Sequence, residues 1–198
     1  MKSLFHRKKK EPIIVVSGLP RSGTSMVMKM LEAGGVPPLT DHFREANEDN
    51  PLGYYEFERV KKLKEGDSAW LSEAEGKAVK IIAALLTHLP PNFEYRVLFM
   101  RRKMEEVLAS QAKMLENRGE ESDVEDAKMA ELFERHVQQV RAWMNSQPNL
   151  LYLDVDYNAM LERPLAQVRQ INQFLGGKID EDKMVAVIDP ALYRQRKS

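Results

Sequence analysis

IIVVSGLPRSGTSMVMKMLEAGG, residues 13–35, decides the fold. Ile13–Ser17 is a short run of mostly β-branched residues with no polar alternation, so it reads as a strand buried on both faces. Gly18 ends it. A helix then runs over Thr24–Gly34, with Val27, Met30, Leu31 and Gly34 on one face. Gly34-Gly35-Val36-Pro37-Pro38 stops that helix. Strand, glycine loop and helix in direct succession make an anion cradle. Backbone N–H groups converge in the loop, and the helix N-terminus adds partial positive charge.

Working outward, the same alternation recurs. Lys77–Ile82, Tyr95–Met100 and Leu150–Val155 read as strands. Helical patterns cover Met104 to about Asn117, Asp123–Asn145, the stretch from Pro164 to Leu175, and Asp180–Ile188, with shorter turns or helices near Glu56–Lys64 and around Trp70 and Leu71. Strands alternating with helices predict an α/β fold: a P-loop-type parallel sheet of four to five strands with helices on both faces. At 198 residues one domain is expected, residues 12–198, preceded by a basic tail over 1–11 with five Lys and Arg.

Composition narrows the function. Lys plus Arg and Asp plus Glu both total 30, so the formal charge is zero, which argues against a nucleic-acid partner held by bulk electrostatics. There is no cysteine, which excludes disulfides, thiol catalysis and cysteine-ligated metals. No apolar run approaches the ~20 residues of a membrane helix, and the basic N-terminus lacks the apolar segment of a secretory signal. The expectation is a cytoplasmic protein without membrane insertion.

The loop Gly18-Leu19-Pro20-Arg21-Ser22-Gly23-Thr24-Ser25 follows the Walker A spacing with one departure: Thr24 stands where the lysine belongs. A threonine cannot reach the β and γ phosphates of a nucleoside triphosphate. The cation has moved to Arg21, which suits a shorter anion whose bridging oxygen takes up charge on leaving.

SGLPRSGTSMVMKML resembles the 5′-phosphosulfate loop of sulfotransferases that use 3′-phosphoadenosine 5′-phosphosulfate, close to the tyrosylprotein and bacterial forms. The resemblance implies that donor, with Pro20, Arg21, Ser22, Gly23, Thr24, Ser25 and Met26 around its 5′ end and no metal. In the family a strand ends in an arginine, a serine follows eight residues later, and both contact the 3′ phosphate. Here YRVLFM runs into Arg101-Arg102, and Ser110 is eight residues beyond Arg102. Ser110 lies too deep in its helix to cap it, so a structural need for serine is not apparent there. A third block, LLYLDVDYNAMLERPLAQVRQINQFLG, is similar to the family's late strand, tyrosine-acidic turn and proline-started helix, and reads as packing. The family's late R-K-G loop is missing as such; the nearest substitute is Tyr193–Lys197, with Arg194 as the candidate 3′-phosphate ligand.

Sulfuryl transfer needs a cation for the leaving phosphate and a base for the acceptor's proton. Arg21 supplies the first. For the second, Asp41 lies 20 residues after Arg21, where the resemblance to tyrosylprotein sulfotransferases implies a catalytic carboxylate, and Glu56 follows NPLGYY. His88, in Thr87-His88-Leu89-Pro90, resembles a cytosolic sulfotransferase motif but lies only 14 residues before Arg102; Lys80, 22 residues before Arg102, fits that motif's lysine better. Each has a plainer reading: helix cap, first-turn carboxylate, helix-end residue, snorkelling lysine. The acceptor pocket is expected within residues 36–75, where Phe43, Tyr54, Tyr55, Phe57 and Trp70 accompany acidic residues, suiting a small-molecule, glycan or peptide acceptor. Two alternatives stay open: a P-loop kinase or NTPase with a degenerate loop, and a non-catalytic nucleotide-binding protein of the same fold.

Overall fold

The structure, a computed structural model, describes residues 11–41, 55–120 and 124–188. The Asn50–Gly53 turn, Phe43, Tyr54, nearly all of the basic N-terminal segment and the Arg194 tail lie outside the described residues.

Four strands form one parallel sheet: β1 (Ile13–Gly18), β2 (Ala78–Lys80), β3 (Tyr95–Arg101) and β4 (Leu150–Asp156), in the order β2-β1-β3-β4. Pro38 makes a further parallel bridge to Ala78 beyond the β2 edge, so the segment after the first helix flanks the sheet as a rudimentary fifth strand. The helices are α1 (Thr24–Ala33), α2 (Met104–Asn117), α3 (Asp126–Ser146), α4 (Tyr157–Glu162), α5 (Pro164–Leu175) and α6 (Glu181–Ala186). Three 3₁₀ segments, Glu58–Glu65, Ala69–Glu73 and Ala83–His88, complete the described elements. The sequence reading missed the last of these and α4. It also drew β2 too long: Ile81 and Ile82 already lead into the Ala83–His88 turn.

The sheet is buried on both sides because its side chains alternate between two cores. Ile13 and Val15 of β1, Val97 and Phe99 of β3, and Val79 of β2 face a layer made by the 3₁₀ segments and α3, including Trp70, Leu86 and Met144. Ile14, Val16, Leu98 and Met100 face α1, α5 and α6 through Val27, Leu31, Ile171 and Met184. All six residues of β1 are buried, as its apolar run predicts. Each such Val or Ile contributes about 1.5–3 kcal/mol relative to exposure.

Strand order then fixes where a ligand sits. The chain leaves β1 through α1 on one face and steps outward to β2. It leaves β3 through α2 and α3 and steps to β4 on the other side. Right-handed crossovers in opposite directions fall on opposite faces, so a crevice opens beyond the carboxyl ends of β1 and β3. Gly18 is in register with Met100, and Arg101 with Asp156. The chain therefore leaves β1, β3 and β4 at one level, around that crevice.

Candidate functional site

The loop between β1 and α1 is held by short-range contacts. Ser22 is buried and its hydroxyl donates to the Leu19 carbonyl at 2.6 Å. Arg21 adopts φ 67°, a left-handed conformation that a non-glycine residue pays for, and Gly23 adopts φ 98° at the α1 N-cap. Glycine is required at 23 for a second reason. A Cβ there would stand 2.4 Å from a carbon of the Tyr157 ring. The α1 N-cap residue, Gly23, makes no side-chain cap hydrogen bond, and the first turn has no acidic residue. The positive end of its dipole lies at the crevice, a place suited to an anion.

Arg21 is the centre of a network that joins all three strand exits. Its Nε donates to Ser110 Oγ at 3.0 Å. Its carbonyl accepts from Arg102 Nη1 at 3.0 Å. Arg102 Nε donates to Glu106 Oε2 at 2.9 Å, and the other Glu106 oxygen accepts from Asn158 Nδ2 at 2.9 Å. The Arg102 guanidinium lies over the Tyr157 ring, 4.4 Å from its centroid. Burial pushes the Tyr157 phenol up, an effect the neighbouring Arg102 charge partly opposes.

Three sequence expectations change meaning here. Arg102, expected at the 3′ phosphate, has only 7% of its side chain exposed and is turned onto the Arg21 carbonyl and Glu106. The exposed arginine at this edge is Arg101. Ser110 is buried with its hydroxyl on Arg21, which is a structural use for serine that helix position alone did not reveal. Tyr157, read as packing, forms a wall of the loop. Glu106 and Asn158 were missed. The signal for Glu106 was present, since a glutamate four residues after an arginine at a helix start is a side-chain pair.

The contenders for a base separate by place. Lys80 ends β2, and its Nζ reaches Ser25 Oγ at 3.5 Å, bringing a second cation to the loop. Asp41 and Glu56 come together: the Asp41 amide and the Thr40 hydroxyl both donate to the Glu56 carbonyl, at 3.2 and 2.8 Å. The Asp41 carboxylate also accepts the Glu58 amide at 2.6 Å, at the head of the Glu58–Glu65 turn. Both carboxylate residues are half-buried; Asp41 lies three residues beyond the Pro38 bridge, and Glu56 is held beside it by these hydrogen bonds. His88 is elsewhere. It is exposed at the far end of its 3₁₀ segment, two residues before Pro90, whose carbonyl accepts from the Tyr95 hydroxyl at the start of β3. In a parallel sheet that is the edge opposite the loop. His136 is half-buried on α3, and its buried Nε2 has no hydrogen-bond partner among the described residues, unlike a satisfied packing residue. A cavity of about 430 Å³ adjoins the loop between the β3 exit, α2 and α3, lined by Ser22, Arg101, Lys103, Val137 and Arg141 among others. No described helix is long and apolar enough to cross a membrane.

Comparison with known proteins agrees with this geometry. The family model described as "Sulfotransferase domain" matches residues 11–198. No curated protein sequence matches the chain. Among solved structures, the sulfotransferase domain from the curacin biosynthetic pathway aligns with TM-score 0.52 at 14% identity, covering 90% of this chain and 78% of that one. The sulfotransferase domain from the Synechococcus PCC 7002 olefin synthase aligns with TM-score 0.52 at 17% identity, covering 96% and 85%. At these identities the likeness is one of fold.

Proposed function

The chain belongs to the sulfotransferase domain family, and on that premise we propose that it moves a sulfuryl group from 3′-phosphoadenosine 5′-phosphosulfate to a hydroxyl or amine acceptor. The observation that carries this reading is the loop itself. It presents a helix N-terminus with Gly23 at its cap position and, in place of a Walker lysine, a guanidinium steered by Ser110 and anchored through Arg102. That arrangement fits a 5′-phosphosulfate end better than a triphosphate chain.

When bound, the donor supplies an activated sulfur whose bond to the 5′-phosphate oxygen breaks as the acceptor oxygen or nitrogen bonds to it. Residues 20–26 and the α1 N-terminus hold the anion, and Arg21 takes up the charge that develops on the departing phosphate. Lys80, at the Ser25 hydroxyl, adds positive potential on the side facing β2. Arg102 and Ser110, which the family resemblance gives to the 3′ phosphate, would hold it from the same assembly that anchors the loop. The acceptor's proton goes to the Asp41–Glu56 pair, and one of these two carboxylates is the base.

The direct test offers the donor with a panel of phenols, alcohols, sugars and amines and detects sulfated product by mass, alongside release of 3′,5′-adenosine bisphosphate. Product that forms with the wild type and disappears with Arg21→Ala supports the reading. Phosphorylated product from ATP and Mg²⁺ in the same panel, with no sulfated product, replaces it by a kinase.

A further inference from the structure

We infer that Glu106 sets the conformation of the phosphate loop, as a positioning residue acting through Arg102. This rests on the reading of residues 18–25 as the donor's anion site. Glu106 lies in the first turn of α2 with its side chain fully buried. A carboxylate in such a place needs partners for both oxygens. Its oxygens are shared between two segments: Oε2 takes Arg102 Nε from the β3 exit, and Oε1 takes Asn158 Nδ2 from the β4 exit.

The consequence falls on a third segment. A guanidinium is planar, so fixing Nε on Glu106 while its face lies on Tyr157 fixes the direction of Nη1 as well. Nη1 donates to the carbonyl of Arg21, the loop residue in the left-handed region. Such a conformation persists only where its surroundings hold it. Glu106 acts on the loop through Arg102. It aims the N–H that holds the Arg21 backbone, and that backbone in turn directs the Arg21 side chain to Ser110.

Glu106→Gln keeps the volume and removes the function. A glutamine has one carbonyl oxygen for two donors, and its own NH₂ then opposes a second NH₂, so either Arg102 or Asn158 loses its acceptor. Removing a negative charge near an anion site would by itself tighten anion binding. Loss of positioning weakens it, so the two effects have opposite signs.

The experiment measures the affinity of 3′,5′-adenosine bisphosphate by calorimetry, and backbone amide exchange over residues 19–24, in wild type and Glu106→Gln. The expected result is affinity weaker by about ten- to a hundredfold, the equivalent of one charge-assisted contact, with faster exchange in the loop. Unchanged or tighter binding with unchanged loop exchange overturns the inference, whatever happens to the melting temperature. If Glu106→Gln does not fold, Asn158→Ala, which removes only the Asn158 bond to Glu106 Oε1, carries the same two readouts. If the wild type does not bind the bisphosphate at all, the donor reading fails, and loop exchange alone decides the role of Glu106.

Discussion

Gly23→Ala probes how tightly the loop is closed by the chain leaving β4. Two costs add. The added Cβ must live at φ 98°, outside the regions an L-residue prefers, at about 1–2 kcal/mol. It also stands 2.4 and 2.8 Å from two carbons of the Tyr157 ring, closer than any real contact. Tyr157 cannot simply swing aside, since it is buried under the Arg102 guanidinium; overpacking of that kind costs about 1–3 kcal/mol. The expected destabilisation is therefore about 2–5 kcal/mol, a large share of the stability of a domain. The assay is urea unfolding in a double-mutant cycle with Tyr157→Ala. The second variant alone should cost about 3–5 kcal/mol through the cavity it leaves. In the double variant the clash is gone, so the total should fall short of the sum by about 1–3 kcal/mol. Strict additivity would refute the reasoning, because it would mean that the Cβ at 23 and the ring at 157 do not meet.

Arg102→Ala breaks a buried ion pair and should cost about 3–5 kcal/mol of stability, read by urea unfolding; the smaller Ser110→Ala change should weaken 3′,5′-adenosine bisphosphate more than AMP, with some loss for both because Ser110 also holds Arg21. Asp41→Asn and Glu56→Gln should leave affinity for the bisphosphate near that of the wild type while one of them abolishes turnover; wild-type rates in both would remove the carboxylate pair from the mechanism. Lys80→Met should weaken donor binding and turnover together, because the ammonium meets the loop with or without acceptor. Burial raises the phenol pKa of Tyr55, Tyr95 and Tyr157 in the folded chain, so the unfolded chain loses these protons first and stability should fall as pH rises past about 10. Urea midpoints measured across that range check the sign, and Tyr95→Phe should flatten the slope.

The sheet was legible because its signals are local. IIVVS is too apolar for a surface strand, and Gly18 and Gly23 mark where the backbone must turn. The loop residues were legible for the same reason, since an anion cradle is one contiguous stretch. Partners from different segments were not. Nothing at position 106 says that its carboxylate will be shared by Arg102 and Asn158, and nothing at 157 says that its ring will lie on Gly23, because strand register decides both. Arg102 shows the limit most clearly. Its spacing to Ser110 placed it in the site, but its direction depends on a buried counter-charge one helical turn away. His88, which its short spacing to Arg102 already sets apart, sits at the opposite edge of the sheet, because the Ala83–His88 turn carries the chain back toward the start of β3.

The most direct measurement of the central claim is the thermal shift of the wild-type chain with 3′,5′-adenosine bisphosphate set against that with ATP and Mg²⁺. A loop built around Arg21 without a Walker lysine predicts that the bisphosphate stabilises the fold, by about 2.7 kcal/mol at a hundredfold excess over its dissociation constant, and that ATP with Mg²⁺ does so far less. Equal or greater stabilisation by ATP and Mg²⁺ would contradict the account.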